Sequence, residues 1–173
     1  IHVKFLERLV ENKNTELYIS YTSNGQQLAH KQIEETLKHF SNIQLNLSID
    51  GTDKLFEYIR WPGKWEKLNH VMDHYKTKGW LVTAYTTLSN MNVYYYDDLL
   101  EWILKNFAIN QFKYQFVYEP NEFSVNVMPE KLKHIIIDKF NKHKFSPFLQ
   151  PICNAIADPF PLELLERFKR RVW

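Results

Sequence analysis

The stretch Ile43-Gln44-Leu45-Asn46-Leu47-Ser48-Ile49 alternates apolar and polar residues and ends on the pair Asp50-Gly51. Alternation with a period of two predicts a β-strand, and Asp-Gly predicts a turn directly after it. Three other stretches are rich in strand-forming residues and are followed by polar or turn-forming residues: 17–22, 80–88 and 112–118. The sequence therefore predicts four strands.

Helical patterns separate these strands. Apolar residues recur at spacings of three and four, which is the period of an amphipathic helix, in six segments: 2–11, 33–40, 65–78, 97–107, 130–141 and 161–168. The spacers between the strands are too long for hairpins. We therefore expect parallel strands joined by helical crossovers, which is an α/β fold.

The composition argues against several classes of protein. The 22 Lys and Arg residues nearly balance the 20 Asp and Glu residues, leaving a formal net charge of +2, whereas nucleic-acid binding needs clustered positive charge. No stretch approaches the roughly 20 apolar residues that span a bilayer. Cys153 is the single cysteine, so this chain supplies neither a disulfide nor a cysteine-held cluster. We expect a cytoplasmic protein that binds neither nucleic acid nor membrane.

Small polar residues gather where the predicted strands end. In parallel α/β sheets, ligands bind beyond the carboxyl ends of the strands. The candidates at these ends are Thr22, Ser23, Asn24, Ser48, Asp50 and Thr86. The same residue types also cap helices and form turns, and Thr is a common strand residue, so both interpretations stay open at each position.

Arg60 is a separate candidate. A guanidinium offers a forked set of donors that matches a carboxylate, so Arg60 could bind an anionic ligand. The alternative is a surface arginine that stacks on Trp65.

Four of these segments together resemble the core of the radical S-adenosylmethionine enzymes. Residues 22–25, Thr-Ser-Asn-Gly, resemble the T-N-G turn of that family, and residues 48–51, Ser-Ile-Asp-Gly, resemble its S-[IL]-D-G strand end. Residues 57–65, Glu-Tyr-Ile-Arg-Trp-Pro-Gly-Lys-Trp, resemble the E-Y-I-R-x-P-x-x-W segment of members with a shortened auxiliary domain, called twitch. Residues 86–92 are similar to the fifth strand end of the same subgroup. The resemblance covers roughly residues 5–140.

The resemblance implies a partial (β/α) barrel that binds S-adenosylmethionine beside a 4Fe–4S cluster. In the intact enzyme the cluster would cleave the cofactor reductively, and a 5′-deoxyadenosyl radical would abstract hydrogen from a small-molecule or peptide substrate. The cofactor-binding residues implied by the matching positions are Thr22, Ser23, Asn24, Ser48, Asp50, Arg60 and Thr86.

The sequence also departs from the family. The C-x3-C-x2-C loop that holds the cluster is absent, and so is the G-G-E-P turn. We therefore expect a fragment that is inactive by itself, with residues 1–145 forming part of the barrel and residues 146–173 forming a helical extension. An open sheet edge could promote homo-oligomers.

Two rival interpretations remain. One is a non-catalytic α/β binding or interaction module. The other is an unrelated nucleotide-binding enzyme, which lacks support because no G-x-G-x-x-G or G-x4-G-K-[ST] motif follows a predicted strand.

Overall fold

Four parallel strands form one sheet in the computed structural model, which describes residues 1–172. The strands are β1 (Tyr18–Ser23), β2 (Asn42–Ser48), β3 (Leu81–Leu88) and β4 (Phe112–Phe116), and they lie side by side in chain order. The predicted parallel α/β fold is confirmed. β4 ends two residues earlier than predicted, although Val117 N–H still donates to Leu88 O at 2.9 Å.

Eight α-helices connect and flank these strands: α1 (His2–Glu11), α2 (Lys31–Leu37), α3 (Asp53–Ile59), α4 (Trp65–Thr77), α5 (Tyr96–Asn106), α6 (Glu130–Asn141), α7 (Ser146–Ala157) and α8 (Leu162–Val172). α2 is shorter than the predicted segment 33–40 because its last turn tightens, with Phe40 N–H donating to Leu37 O at 3.0 Å. The bounds of α6 coincide with the prediction. Within residues 1–172, no helix is both long and apolar enough to cross a bilayer.

The helices cover one face of the sheet, which we call the apolar face. Leu45 and Leu47 of β2 and Val82 and Ala84 of β3 lie there, fully or almost fully buried. They belong to a core that includes one face of α4, at positions spaced three and four apart: Leu68, Val71, Met72 and Tyr75. The apolar residues whose spacing predicts α4 are therefore the residues that α4 buries in the core.

The two C-terminal helices, α7 and α8, pack against different parts of the protein. α7 contributes Leu149, Ile152, Cys153 and Ile156 to the same core. α8 contacts the short turn after β4, where Phe168 meets Phe123 edge to face with ring centroids 5.5 Å apart. Both helices lie in the predicted extension, 146–173, and Trp173 is outside the described residues. The domain boundary at residue 145 stays a prediction.

The opposite face of the sheet is polar, and we call it the polar face. Along most of its length its side chains, in rows set by the strand register, are Ser20 and Thr22 of β1, Gln44, Asn46 and Ser48 of β2, Thr83, Tyr85 and Thr87 of β3, and Lys113 and Gln115 of β4. The first residues of three strands, Tyr18, Asn42 and Leu81, lie on the same face and are exposed. Asn46 and Thr83 are buried at its centre, and the others are half-buried or exposed. Parallel sheets covered by helices on both faces have strands of nearly continuous apolar residues, so this polarity is unusual and marks a face that meets solvent or a ligand.

Hydrogen bonds order the centre of the polar face. Asn46 Nδ2 donates to Ser20 Oγ at 2.9 Å, and Thr83 Oγ1 donates to Asn46 Oδ1 at 2.6 Å. Gln44 Nε2 also donates to Thr83 Oγ1 at 3.2 Å. The network joins β1, β2 and β3, so these side chains are fixed before any ligand arrives.

Candidate functional site

Ser48 ends β2 on the polar face, opposite Tyr85 of β3. It is half-buried, and within residues 1–172 its hydroxyl makes no hydrogen bond to the protein. A hydroxyl at the carboxyl end of a parallel strand is well placed for a ligand. Of the predicted site residues on the polar face, Ser48 and Thr22 both carry hydroxyls that have no protein partner within residues 1–172; Thr22 is exposed and Ser48 half-buried.

The turn after β1 uses the polar atoms of two predicted site residues. Ser23 Oγ accepts a hydrogen bond from Gly25 N–H at 3.1 Å, and Asn24 Oδ1 accepts one from Gln26 N–H at 3.2 Å. Gly25 has φ +67°, a backbone conformation that favours glycine, and a Cβ there would lie 2.8 Å from Leu68 Cδ1, so the leucine side chain would have to shift. Ser23 and Asn24 therefore both form turn hydrogen bonds, and their contacts with a ligand stay predictions. Asn24 is exposed, and its amide NH2 group has no protein partner within residues 1–172.

Thr22, Ser23 and Asn24 also line a cavity of about 500 Å³ at the β1 side of the sheet. Its deeper walls are aromatic, with Tyr75 stacked on Trp80 at 4.3 Å between ring centroids. Burial raises the pKa of Tyr75 to about 12. Three consecutive predicted site residues thus line one cavity.

Asp50 and Arg60 bind each other. Arg60 Nε and Nη2 donate to Asp50 Oδ2 at 2.7 and 2.5 Å, and Asp50 Oδ1 accepts from Thr87 N–H at 2.7 Å. The Asp50 side chain is 7% exposed, so this pairing offsets the cost of burying a carboxylate. Both oxygens of the Asp50 carboxylate therefore have protein partners. Arg60 forms this ion pair instead of the stacking on Trp65 that was the alternative expectation.

Asn92 is a buried residue of this cluster that sequence reasoning missed. Its Nδ2 donates to Asp50 O at 2.9 Å and to Thr87 O at 2.8 Å, and its Oδ1 accepts from Ser89 N–H at 2.8 Å. One amide therefore ties the ends of β2 and β3 together. An Asn shortly after a predicted strand signals a side-chain turn, but its bond to residue 50 depends on the tertiary fold.

Thr86 lies on the apolar face. Its hydroxyl donates to Ile49 O at 2.6 Å, and the residue is 1% exposed. The strand alternation places its neighbour Thr87 on the polar face instead, in a row with Gln115. The direct contacts of Asp50, Arg60 and Thr86 with a cofactor stay predictions; each of these side chains has a protein partner in the structure.

The segment 57–65 connects α3 to α4. Glu57 Oε1 accepts from Trp65 N–H at 3.2 Å at the start of α4, and Glu57 Oε2 pairs with Lys64 Nζ at 3.0 Å. The hydrogen bond from Lys64, followed by that from the Trp65 amide, holds the pKa of Glu57 below its ordinary value. Trp65 packs in the core, 4.8 Å from Trp102 between ring centroids. Residues 57–65, the most specific match to the family, therefore stabilise the connection between α3 and α4.

A second cavity lies at the carboxyl ends of β3 and β4, beside the end of α3. It has a volume of about 480 Å³, within the range of ligand pockets. Its lining is mostly apolar, with one carboxylate: Tyr58, Ile59, Ser89, Met91, Val117, Glu119, Pro120 and Phe123. The strand edge thus offers a polar side at β1 and β2 and an apolar side at β3 and β4.

The residues present fit S-adenosylmethionine better than they fit an iron–sulfur cluster. The cofactor combines a polar methionyl end with a flat heterocycle, which matches the two sides of the strand edge. No group of three or more Cys, His, Asp or Glu side chains that could hold a metal occurs within residues 1–172. Cys153 is buried in α7, and three thiolates cannot come from this chain.

Among known proteins, the solved structures are the ones that match this chain. No protein-family model and no curated protein matches the sequence. Native anSMEcpe with bound AdoMet, a radical S-adenosylmethionine enzyme, has a similar structure, with a TM-score of 0.57 at 13% identity over 86% of this chain. The same protein with bound AdoMet and the Cp18Cys peptide has a TM-score of 0.55 at 14% identity over 86% of this chain.

This chain spans less than half of those structures, 44% of their length. At such low identity the likeness concerns the fold alone. The parallel sheet with its flanking helices is the partial-barrel fold found in radical S-adenosylmethionine enzymes.

Proposed function

We propose that this chain forms an S-adenosylmethionine-binding part of a radical S-adenosylmethionine enzyme. The observation that carries the proposal is the polar face, which ends at Ser48 with a free hydroxyl at the carboxyl edge of a parallel sheet. Two structures with this fold have AdoMet bound. A polar, pre-ordered sheet face is the surface that a zwitterionic cofactor needs.

In this proposal the methionyl end of the cofactor binds near Ser48, with Thr22, Ser23 and Asn24 at the neighbouring strand end. The adenine base occupies the apolar cavity that includes Ile59, Met91 and Val117. Asp50, Arg60 and Thr86 hold the strand ends in register, and any contact that they make with the cofactor uses the polar atoms that remain.

Bound S-adenosylmethionine supplies radical hydrogen abstraction when a 4Fe–4S cluster provides an electron. The single cysteine of this chain leaves the cluster to thiolates outside the sequence, so we propose that the chain alone is inactive. The twitch subgroup, a small-molecule or peptide substrate, a cytoplasmic location and self-association along the β1 edge belong to the same proposal.

Calorimetric titration of S-adenosylmethionine into the purified chain tests this assignment. We expect saturable binding that Ser48→Ala weakens about fivefold, since a neutral hydrogen bond contributes on the order of 1 kcal/mol. Ser41→Ala is the matched control, because this substitution removes the same hydroxyl group at the opposite end of β2. Absence of binding, or equal weakening by both variants, would refute the proposal.

A non-catalytic binding module is the second candidate, and the single Cys153 favours it. The coding sequence upstream of Ile1 separates the two candidates, because three cysteines in a C-x3-C-x2-C loop would establish the enzyme.

A further inference from the structure

Lys113 carries the one charge among the side chains of the polar face named above. Its Cα is paired with that of Tyr85, which is paired in turn with Ser48. The three residues therefore form one row across β4, β3 and β2. Strands lie about 4.8 Å apart, so Lys113 stands about 10 Å from Ser48 along this row.

The ammonium of Lys113 leans over the sheet. Its Nζ lies 5.6 Å from the centroid of the Tyr85 ring, on the neighbouring inner strand. Lysines are common on exposed edge strands such as β4, where their charge discourages pairing with another chain. Here the exposed Lys113 also lies over a side chain of the inner strand β3. Within residues 1–172, Lys113 forms no ion pair, so its charge is directed at the polar face without a protein carboxylate to balance it.

The side chains beside Lys113 are neutral and can donate hydrogen bonds to a carboxylate. Gln115 follows on the same face of β4, and Tyr85 and Thr87 occupy the adjacent strand. One ammonium with neutral donors suits a singly charged group such as a carboxylate. Lysine also binds phosphates as a point charge, so a phosphonate probe belongs in the test.

We infer that Lys113 binds a carboxylate of the substrate, so that the substrate is a carboxylate-bearing molecule such as an amino acid or an acidic peptide. The inference rests on the proposed function, because it takes the region around Ser48 as the cofactor's place. A group held about two strand spacings away lies close enough to react with the cofactor without competing for its contacts.

Two-dimensional ¹H–¹⁵N NMR of the whole chain, titrated with glutarate, tests the inference. Glutaramide is the uncharged probe of the same shape. We expect glutarate to shift the amides of Tyr85, Lys113 and Gln115 saturably and glutaramide not to. Lys113→Gln should weaken glutarate binding about tenfold, and Lys113→Arg should retain most of it. Lys105→Gln is the control, since Lys105 is an exposed lysine of α5.

Three results would overturn the inference. Glutarate could bind Lys113→Gln as tightly as the unmodified chain, or methylphosphonate could bind more tightly than glutarate. Lys113→Gln could also weaken S-adenosylmethionine in a parallel titration, which would make Lys113 a cofactor ligand. If the chain binds glutarate at Lys113 but no S-adenosylmethionine, the proposed function fails while the carboxylate site stands.

Discussion

Arg60 illustrates how magnitudes decide between two roles for one side chain. Removing one partner of a buried ion pair costs about 3–5 kcal/mol, and the Asp50 side chain is 7% exposed. A new charge-assisted bond to a ligand carboxylate contributes about 1.5–3 kcal/mol. Moving Arg60, which is 27% exposed, to a ligand would leave the nearly buried Asp50 carboxylate without its counter-charge, so we expect a cofactor to contact Arg60 through its remaining N–H groups.

Asn92→Ala should be strongly destabilising. The substitution leaves two buried carbonyls, Asp50 O and Thr87 O, and the Ser89 N–H without their partner. We expect the free energy of unfolding to fall by about 2–4 kcal/mol, since each unsatisfied buried group costs about 1–3 kcal/mol and the site can partly relax. Urea unfolding followed by circular dichroism measures the change.

Asn110→Ala is the control for this prediction, because Asn110 is exposed in the turn before β4. Its effect should stay within about 0.5 kcal/mol. Equal stability of Asn92→Ala and the unmodified chain would show that the amide does not hold the strand ends.

At the scale of elements, Glu34 joins α2 to α4. Tyr75 Oη donates to Glu34 Oε1 at 2.9 Å, His74 Nε2 lies 3.1 Å from the same oxygen, and Lys78 pairs with the other oxygen. Burial raises the pKa of Glu34, but the hydrogen bonds from Lys78, Tyr75 and His74 outweigh it and lower the pKa below its ordinary value.

The pKa of Glu34 predicts a pH-dependent contribution to stability. A carboxyl whose pKa is depressed in the folded chain stabilises it above the unfolded value, about 4.5, and this contribution is lost as pH falls through the folded pKa. Glu34→Gln should therefore destabilise the chain at about pH 6 and much less at about pH 3. Urea unfolding across this range provides the measurement.

Glu35→Gln is the matched control, since Glu35 neighbours Glu34 but is 53% exposed and pairs with Lys38. Its destabilisation should be smaller throughout because surface ion pairs contribute little. A constant stability difference between Glu34→Gln and the unmodified chain at all pH values would contradict the role of the Glu34 carboxylate.

Elements with a long apolar period were predictable from the sequence, and short ones were not. α6 has the predicted bounds because its apolar residues recur at helical spacing: Ile136 and Phe140 are buried, and Leu132 and Ile137 pack against the core. α3 has seven residues and buries only Phe56, so it leaves no period to recognise. α7 lies within the predicted helical extension, but Pro151 in its interior obscures where the helix begins and ends in the sequence.

The candidate site was predictable only in part. The positions of Ser48 and Asp50 at a strand end follow from local patterns. The Asp50–Arg60 pair and the contact of Asn92 with Asp50 O, 42 residues apart, depend on how distant segments meet. Thr86 lies on the apolar face because side chains alternate along β3 in step with its buried residues. A motif at the end of a strand does not show which of its residues are buried, so it could not predict this orientation.

For the whole molecule, we expect no iron–sulfur cluster to assemble on this chain. Cys153 is 3% exposed within the core, and burial raises the pKa of its thiol, which opposes the thiolate that iron needs. Anaerobic reconstitution should leave no stable 4Fe–4S absorbance, with equal residual iron in Cys153→Ala. A stoichiometric cluster on the chain would contradict this expectation.

The polar face also affects how the molecule responds to temperature. Hydration of newly exposed apolar surface raises the heat capacity on unfolding, and hydration of polar surface lowers it. Amide and hydroxyl side chains on one side of the sheet bury little hydrocarbon, so unfolding exposes less of it than in a sheet with helices on both sides. We expect the heat-capacity change of unfolding to lie below the usual value of roughly 12–15 cal/mol/K per residue. The free energy of unfolding should therefore vary less with temperature.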